Sequence, residues 1–524
     1  MSLNFEDKSE CIPINSDENN ECNIKSFADL PIELLERIFE HLPYSDLKKS
    51  STVCQKWCQI SQLPKFRQNI IVRIQHSEID PSNLPEEVFQ KSTRKFSNLH
   101  YGDKSSNYKL CMKTFLKMSN IFEDLEYFKL ENITLTFEEL CILLNRMRNL
   151  KSLSIYNCNF ELDTLQNIEE KNLKSIKNTM NNLLCFEFQE TSMICYENLK
   201  KITNMLMNLE IFKPGFGKMG SYSYSDATTE TDILCSIIEK NKTTLKQLHI
   251  PMYQNKLPLS AVYQIRNLNL AYLSLDYNYY SPPATLSLDT FLQAHVNLIT
   301  LVVSISSYKK LDLELIADTM DRLERLEITA SCKNIYNFNL MTISKFKKLK
   351  VLKALKRPSH SFSSIDLASN MLLRELQIQD MNLTETDIIN ISERLPNLET
   401  LILQRVLLTD AGLQAVIKNL LNLRYLNLEN KSNRDSEVTD YGISGFDTST
   451  NAQSGTSIKN LKSLEYLQLS GVKVTSEDCL INNLKFSRIR EIFICNSPQK
   501  INLTFSKMTM VFENCPKLKK ITIR

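Results

Sequence analysis

From residue 125 to residue 523 the apolar positions of this 524-residue chain follow one recurring pattern, Leu-x-x-Leu-x-Leu. Clear copies are Leu150-Leu153-Ile155, Leu245-Leu248-Ile250, Leu270-Leu273-Leu275, Leu323-Leu326-Ile328, Leu373-Leu376-Ile378, Leu398-Leu401-Leu403, Leu423-Leu426-Leu428, Leu464-Leu467-Leu469 and Ile489-Ile492-Ile494. Weaker copies begin at Leu125, Leu183, Leu209, Leu298, Leu349 and Leu518. The steps between first positions are 25, 33, 26, 36, 25, 28, 25, 26, 24, 25, 25, 41, 25 and 29 residues, a period within the leucine-rich-repeat range. The second and third leucines of each copy are two apart, so a strand turns both toward the same face.

Between the copies the period changes to that of a helix. Thr409-Asp410 offers an N-cap, with Leu413, Val416, Ile417 and Leu420 following at i, i+3, i+4 and i+7. Thr136 and Glu139 have capping-box spacing ahead of Leu140, Leu143, Leu144 and Met147. Neither a short strand nor a single helix buries its apolar face alone, and stacking such units does so. The expected fold is therefore an α/β solenoid with a concave parallel sheet and convex helices over 66–524. Divergent starting units are expected at 66–124, loop insertions near 214–231 and 446–457, and a disordered acidic tail at 1–25. The Asn or Cys that conventionally follows eight residues after the first leucine survives at Cys158 and Asn278; Tyr253, Met381, Val406 and Lys431 replace it elsewhere, leaving turn geometry open.

Composition removes several classes of function. The net charge of +3 is nearly neutral for this length and its basic residues are spread, a poor footprint for nucleic acid or an anionic membrane. No apolar run approaches the roughly 20 residues needed to span a bilayer. The acidic start lacks the basic and apolar segments of a secretory signal, so an intracellular location, cytoplasmic or nuclear, is expected. Fourteen cysteines are scattered without a C-x-x-C pair, and Cys141, Cys158 and Cys185 fall where the pattern calls for small apolar residues. Glycine numbers only 9, few for phosphate loops and strained catalytic turns.

Gly215-Phe-Gly217-Lys-Met-Gly220 matches a dinucleotide fingerprint literally. It sits in one insertion of the array, and Ser221-Tyr-Ser-Tyr-Ser gives no expectation of a helix opening after it, so a loop is expected. Cys54 and Cys58 share a helix face without a histidine or second pair, and the six histidines are dispersed. No catalytic constellation, cofactor or metal site is expected.

Ahead of the array, Leu30-Pro31 opens a helix carrying Leu34, Leu35, Ile38, Phe39 and Leu42 until Pro43 stops it. Ser45-Asp46 can cap a second helix with Leu47, and a third carries Val53, Cys54, Trp57 and Ile60. So short a segment is too small to sustain a core unaided. By spacing alone it is either a partner-binding module or the helical cap that repeat arrays require. The segment 26–65 resembles an F-box on Leu30-Pro31, Glu33, Ile38-Phe39, Leu42-Pro43, Asp46-Leu47, Val53-Cys54 and Trp57, the family's frequent Leu-Trp being replaced by Lys65-Phe66. With the repeats behind it, the whole resembles the F-box/leucine-rich-repeat family. The resemblance implies docking to a Skp-type adaptor through Leu30, Pro31, Leu34, Leu35, Ile38, Phe39, Leu42, Pro43, Leu47, Val53 and Trp57, and through the adaptor to cullin and RING subunits. It implies a non-catalytic substrate-recognition subunit of an SCF-type ubiquitin ligase. Alternatives are a scaffold that uses the F-box without delivering substrates and a ligand-sensing receptor; an extracellular repeat receptor is disfavoured by the absent signal and cysteine caps.

On each strand, the residues two, four and six after the first leucine should face the concave side. Most are polar. Tyr127, Tyr156, Tyr272, Val302, Val351, Leu355, Ile402, Tyr425, Tyr466 and Phe493 are large and apolar, and are the candidates for binding a protein substrate. Strand propensity alone is the competing explanation for each of them.

Overall fold

The computed structural model describes residues 30–42, 44–61, 63–67, 71–75, 97–102, 108–110, 112, 115–116, 124–161, 170–191, 196–216, 224–252, 265, 268–277, 288–305, 313–330, 344–356, 370–379, 383–430, 438–447, 452–453, 455–496 and 504–523. The chain divides into two units, 1–72 with 96–98 and 73–95 with 99–524. The tail 1–25 and positions 253, 278, 381 and 431 lie outside the described residues.

The first unit is helical: α1 Ile32–Glu40, α2 Tyr44–Ser50, α3 Gln55–Ser61 and a single turn, α4, Pro64–Arg67. Pro31 stands at the N-cap of α1, its carbonyl accepting from the Leu34 and Leu35 amides. Two sequence expectations need correction. Ser45 and Asp46 lie inside α2, which begins at Tyr44, so they do not cap it from outside. Val53 and Cys54 precede α3, where Cys54 Sγ accepts from the Trp57 amide at 3.5 Å and its carbonyl from Cys58 N at 2.9 Å.

The second unit is built on a 17-stranded sheet with one strand per repeat. Each of the fifteen motif copies opens a strand two residues after its first leucine, from Tyr127–Glu131 to Lys520–Ile523. These strands pair in chain order, all parallel, with equivalent residues in register: Leu376↔Leu401, Leu401↔Leu426 and Leu426↔Leu467 are typical. Just before each strand one carbonyl accepts from two successive amides of the following repeat. Glu126 O takes Lys151 N and Ser152 N, Glu399 O takes Arg424 N and Tyr425 N, and the arrangement recurs at every step to Arg490 O. The motif leucines are nearly all below 2% exposed; with Leu413, Val416, Ile417 and their equivalents on the helices they make one continuous core. A buried leucine contributes roughly 1.5–3 kcal/mol, but only while its neighbouring repeat covers it.

Near the ends of four strands lies a signal that sequence reading missed. Asn132, Asn157, Arg405 and Gly471 all have positive φ, and each is the fifth residue after a strand's first. Asparagine and glycine tolerate this left-handed conformation. At Arg405 and Gly471 the extra residue makes a bulge in the ladder. Asn157 Nδ2 donates to Asn132 Oδ1 at 2.6 Å, tying two such turns together. Val406 is fully buried where Cys158 is buried in its own repeat, so the conventional residue is replaced by another of similar bulk.

Helix starts are joined by a second ladder. Thr136 forms the expected capping box with Glu139, and Thr409 caps Asp410–Asn419. Thr409 Oγ1 also donates to Glu385 at 2.6 Å; Asp410 accepts from Thr439 N and Oγ1, both 2.7 Å; and Asp440 accepts from Thr475 Oγ1 at 2.6 Å and from the Thr475 and Ser476 amides. An acid at the first helical position thus satisfies donors of the next repeat, besides favouring its own helix dipole.

Two expected insertions are partly ordered. Tyr224–Lys240 is a 17-residue helix where 214–231 was expected to be loop, and Pro214–Phe216 complete the strand Ile211–Phe216. A helix does therefore open shortly after the glycine-rich stretch; 217–223 lie outside the described residues. Gly215 has a packing reason, since a Cβ there would come within 3.0–3.2 Å of Gln189 on the adjacent strand. In the second insertion Phe446–Asp447 pairs antiparallel with Ala452–Gln453, and Gly445 N and O bond Tyr441 O and Gly455 N. Among the described residues no helix is long and apolar enough to cross a membrane.

Asp440→Ala leaves the Thr475 and Ser476 donors unpaired at the boundary of two repeats. With these donors open to water, it is expected to destabilise that boundary by about 0.5–1.5 kcal/mol, read as faster amide hydrogen exchange across 466–483 with little change across 127–160.

Candidate functional site

In the first unit, the apolar stripe on α1 is too wide for one small core, and it divides. Leu35 and Phe39, four apart, turn inward; with Leu47, Ile60 and Phe66 they form the buried centre, flanked by partly buried Leu30, Leu42, Trp57 and Leu63. Phe39 meets Trp57 edge-on at 5.3 Å between ring centres and Phe66 at 6.1 Å. Leu34 and Ile38, one position round the helix, point outward and are 47% and 41% exposed. Ile32 (49%) and Val53 (61%) are exposed apolar side chains as well, and so is Pro31. Leu35, Phe39 and Leu47, among the residues expected to dock an adaptor, are buried in this core, and Ile32, absent from that expectation, is exposed. Pro43 lies outside the described residues. The split was hidden because i, i+3, i+4 spacing identifies a stripe without saying how much of it the partner elements cover.

The Lys65-Phe66 substitution also has a place. Lys65 Nζ reaches Glu36 at 2.6 Å and Glu40 at 2.9 Å, while Phe66 enters the core. Both residues thus fasten α4 onto α1. Trp57 Nε1 is buried with no hydrogen-bond partner, and Lys56 Nζ donates to Leu30 O at 2.7 Å.

In the second unit all ten candidate residues lie on the sheet face away from the buried leucines, and all are partly exposed. Register brings some together. Ile402, Asn427, Gln468 and Phe493 form one row across four adjacent strands; Thr400, Tyr425, Tyr466 and Glu491 form the row beside it. Tyr425 and Tyr466 stack with ring centres 4.1 Å apart and planes 2° from parallel. Burial, then the neighbouring Tyr466 hydroxyl, raises the Tyr425 phenol well above its usual range. Tyr127 and Tyr156 are on neighbouring strands near the start of the sheet, where the Lys129 ammonium lies 5.3 Å from the Tyr156 ring. Tyr272 and Val302 occupy adjacent strands, and Val351 and Leu355 share one, well separated from the Tyr425–Tyr466 pair. His249 stacks on Tyr272 at 4.6 Å, and burial, with Lys213 second, pulls its imidazole down to about 4.

Charges on this face are largely paired in its first two thirds. Glu131 holds His100 at 2.6 Å and Lys129 at 3.0 Å, Arg325 pairs with Glu327, and Lys353 with Glu375 at 3.0 Å. The residues just before the strands alternate in sign along the sheet's edge, giving Glu126–Lys151, Glu210–Lys246, Glu324–Lys350 and Arg424–Glu465 pairs. Exposed to water, these pairs add little to stability, but they leave much of that edge self-neutralised. A notch of about 510 Å³ at Asp124, Arg148, Asn182 and Leu184 lies on this edge rather than on the tyrosine face. Among the described residues no group of His, Cys, Asp and Glu has the geometry to hold a metal ion.

A model of the F-box domain matches residues 27–69, extending past residue 65, where the sequence reading ended the module, to include Phe66. No curated protein matches the chain. Among solved structures, the mouse RP105/MD-1 complex aligns at 15% identity over 87% of this chain and 67% of that one, with a TM-score of 0.41. The Rad7 and Elc1 complex in yeast aligns at 15% over 95% and 93%, with 0.35. An internalin (inlF) from Listeria monocytogenes aligns at 14% over 78% and 83%, with 0.32.

Two expectations follow from these environments. Phe39→Ala should destabilise the helical module by about 3–5 kcal/mol, whereas Leu34→Ala or Ile38→Ala should change it by less than about 1 kcal/mol; limited proteolysis between residues 30 and 67 separates the two cases. Folded His249 stays neutral where an unfolded histidine, titrating near 6.5, takes up a proton. The unfolded chain therefore binds more protons between roughly pH 6.5 and 4, and stability, complete above that window, falls as pH drops through it. Allowing for partial exposure, the loss between pH 7 and 5 is on the order of 1 kcal/mol, and His249→Gln should flatten that part of the pH dependence of the thermal midpoint.

Proposed function

We propose that this F-box/leucine-rich-repeat protein is the substrate-recognition subunit of an SCF-type ubiquitin ligase, its F-box docking a Skp-type adaptor and its repeats binding a protein substrate. The observation that carries the reading is the outer apolar surface of the F-box, made by Ile32, Leu34, Ile38 and Val53 around a core that is complete without them. Four large apolar side chains left outside so small a core mark an interface. The F-box domain match supports a Skp-type adaptor as what covers them. Cullin and RING subunits would be reached through that adaptor.

The repeats contribute a wide, partly apolar face with tyrosines at several points, suited to a protein surface rather than to a small molecule in an enclosed cavity. In this reading the chain performs no covalent step. It raises the effective concentration of a bound protein beside a charged conjugating enzyme, and it orients that protein's lysines toward it.

The test is co-purification of the full chain with a Skp-type adaptor and cullin, beside a Leu34→Ser/Ile38→Ser/Val53→Ser variant that spares the core. The variant should remain folded by circular dichroism and retain the adaptor at least about tenfold less well. Equal retention by both proteins, or no adaptor binding by folded wild-type protein, sinks the reading. Adaptor without cullin would favour a scaffold that delivers no substrate.

A further inference from the structure

Beyond Lys353 and its partners, the open face of the sheet changes character. On the strands Glu375–Gln379, Thr400–Val406, Tyr425–Asn430, Tyr466–Val472 and Glu491–Asn496, the outward positions carry amides, hydroxyls, Ile402, the two stacked tyrosines, Phe493 and Cys495, and the one basic residue of these strands is Arg405 at the bulge. Glu429 and Glu491 are the acids added there. Glu429 accepts one hydrogen bond, from Gln404 Nε2 at 3.2 Å. Among the described residues neither acid is in an ion pair; Lys520 is the register partner of Glu491 on the following strand, and Arg405 stands at the bulge beside the Gln404–Glu429 step. Elsewhere on the face Glu131, Glu327 and Glu375 each have a cationic partner.

The tyrosine pair gives this acidic stretch a shape. Tyr425 and Tyr466 are register partners on adjacent strands, and their rings are parallel at 4.1 Å. Their planes therefore stand across the strand-to-strand direction, and the face of Tyr466 turned away from Tyr425 looks toward the strand of its other register partner, Glu491. Tyr466 Oη donates to Gln468 Oε1 at 2.7 Å, which holds the ring in this orientation. Beside the pair, Asn427 is only 6% exposed and points to the same face, yet its Oδ1 has no hydrogen-bond donor. The Tyr466 ring and the Glu491 carboxylate, which is in no ion pair among the described residues, thus stand side by side in one row. A ring face adjoining an unpaired carboxylate favours a cation. Phe493, in the next row, supplies apolar surface of the sort that covers the methylene stem of a long basic side chain.

We propose that the outer face of Tyr466, braced by Tyr425 and flanked by Glu491, is the seat for a lysine or arginine side chain of the protein that the repeats capture. The proposal rests on the reading of this face as the substrate-binding surface, and it narrows the partner to one presenting an accessible basic segment.

The experiment selects short random peptides on the immobilised full chain and repeats the selection on Glu491→Gln and Tyr466→Leu, with circular dichroism to check that both stay folded. Wild-type protein should enrich peptides with a lysine or arginine at one shared position. A synthesised representative should bind each variant roughly tenfold more weakly, and replacing its basic residue by glutamine should cost the same factor on wild type and little on Glu491→Gln. Selection of neutral or acidic peptides, no selection by folded protein, or cationic selection that survives both variants overturns the proposal. Adaptor binding, measured on the same preparations, separates the outcomes: it should be unchanged in both variants, so its loss in wild type counts against the ligase reading alone.

Discussion

Everything in the repeat unit depends on the backbone edge between repeats. One carbonyl ahead of each strand accepts two amides from the repeat that follows, and the strands then continue in parallel register without interruption from Tyr127–Glu131 to Lys520–Ile523. A parallel strand has no partner within its own repeat, so its polar groups and its leucines are satisfied together or not at all. The side-chain ladders obey the same offset. Asn132 to Asn157 links equivalent turns of successive repeats, while Glu385 to Thr409 and Asp440 to Thr475 link the first helical residue of one repeat to the residues that lead into the helix of the next.

That constraint also explains why the open face can vary. Leucines facing the helices are held to one size and one polarity because each fills a closed layer between neighbours. The alternate residues on the same strands meet no such layer, and their identities drift from paired charges at Lys129, Arg325 and Lys353 to amides and tyrosines around Tyr425. The recognition proposed for this face would therefore use the positions that folding leaves unspecified, on strands held in register by their neighbours. The F-box works by a related division. Five buried residues suffice to shape it, and the remaining apolar surface is free to serve binding.

The strands, the fold class and the capped helices at Thr136 and Thr409 were legible in the chain because their signals are local and periodic. The helix Tyr224–Lys240 was hidden beneath a serine- and threonine-rich start; the burial of Ile233, Leu234, Ile237 and Ile238 against the repeat core shows what outweighed that local composition. The left-handed turns were missed because they follow the strand's fifth position, a place marked by Asn132, Asn157 and Gly471 but also occupied by Arg405. Within the F-box, Leu34 and Leu35 are equivalent by residue type and differ only in which of them the other helices cover.

The sequence by itself determined where each strand begins and which side chains turn toward the core, since a two-residue alternation is built into any extended chain. It likewise marked the helical segment ahead of the array and the apolar residues placed outward on each strand. Tertiary structure alone decided which of those outward residues meet. Tyr425 and Tyr466 are 41 residues apart and touch because an insertion is accommodated without shifting register. Glu491 stands beside them for the same reason. Pairing between strands is set by the stacking of whole repeats, a non-local balance of buried leucine and backbone hydrogen bonds that no single stretch of the chain contains.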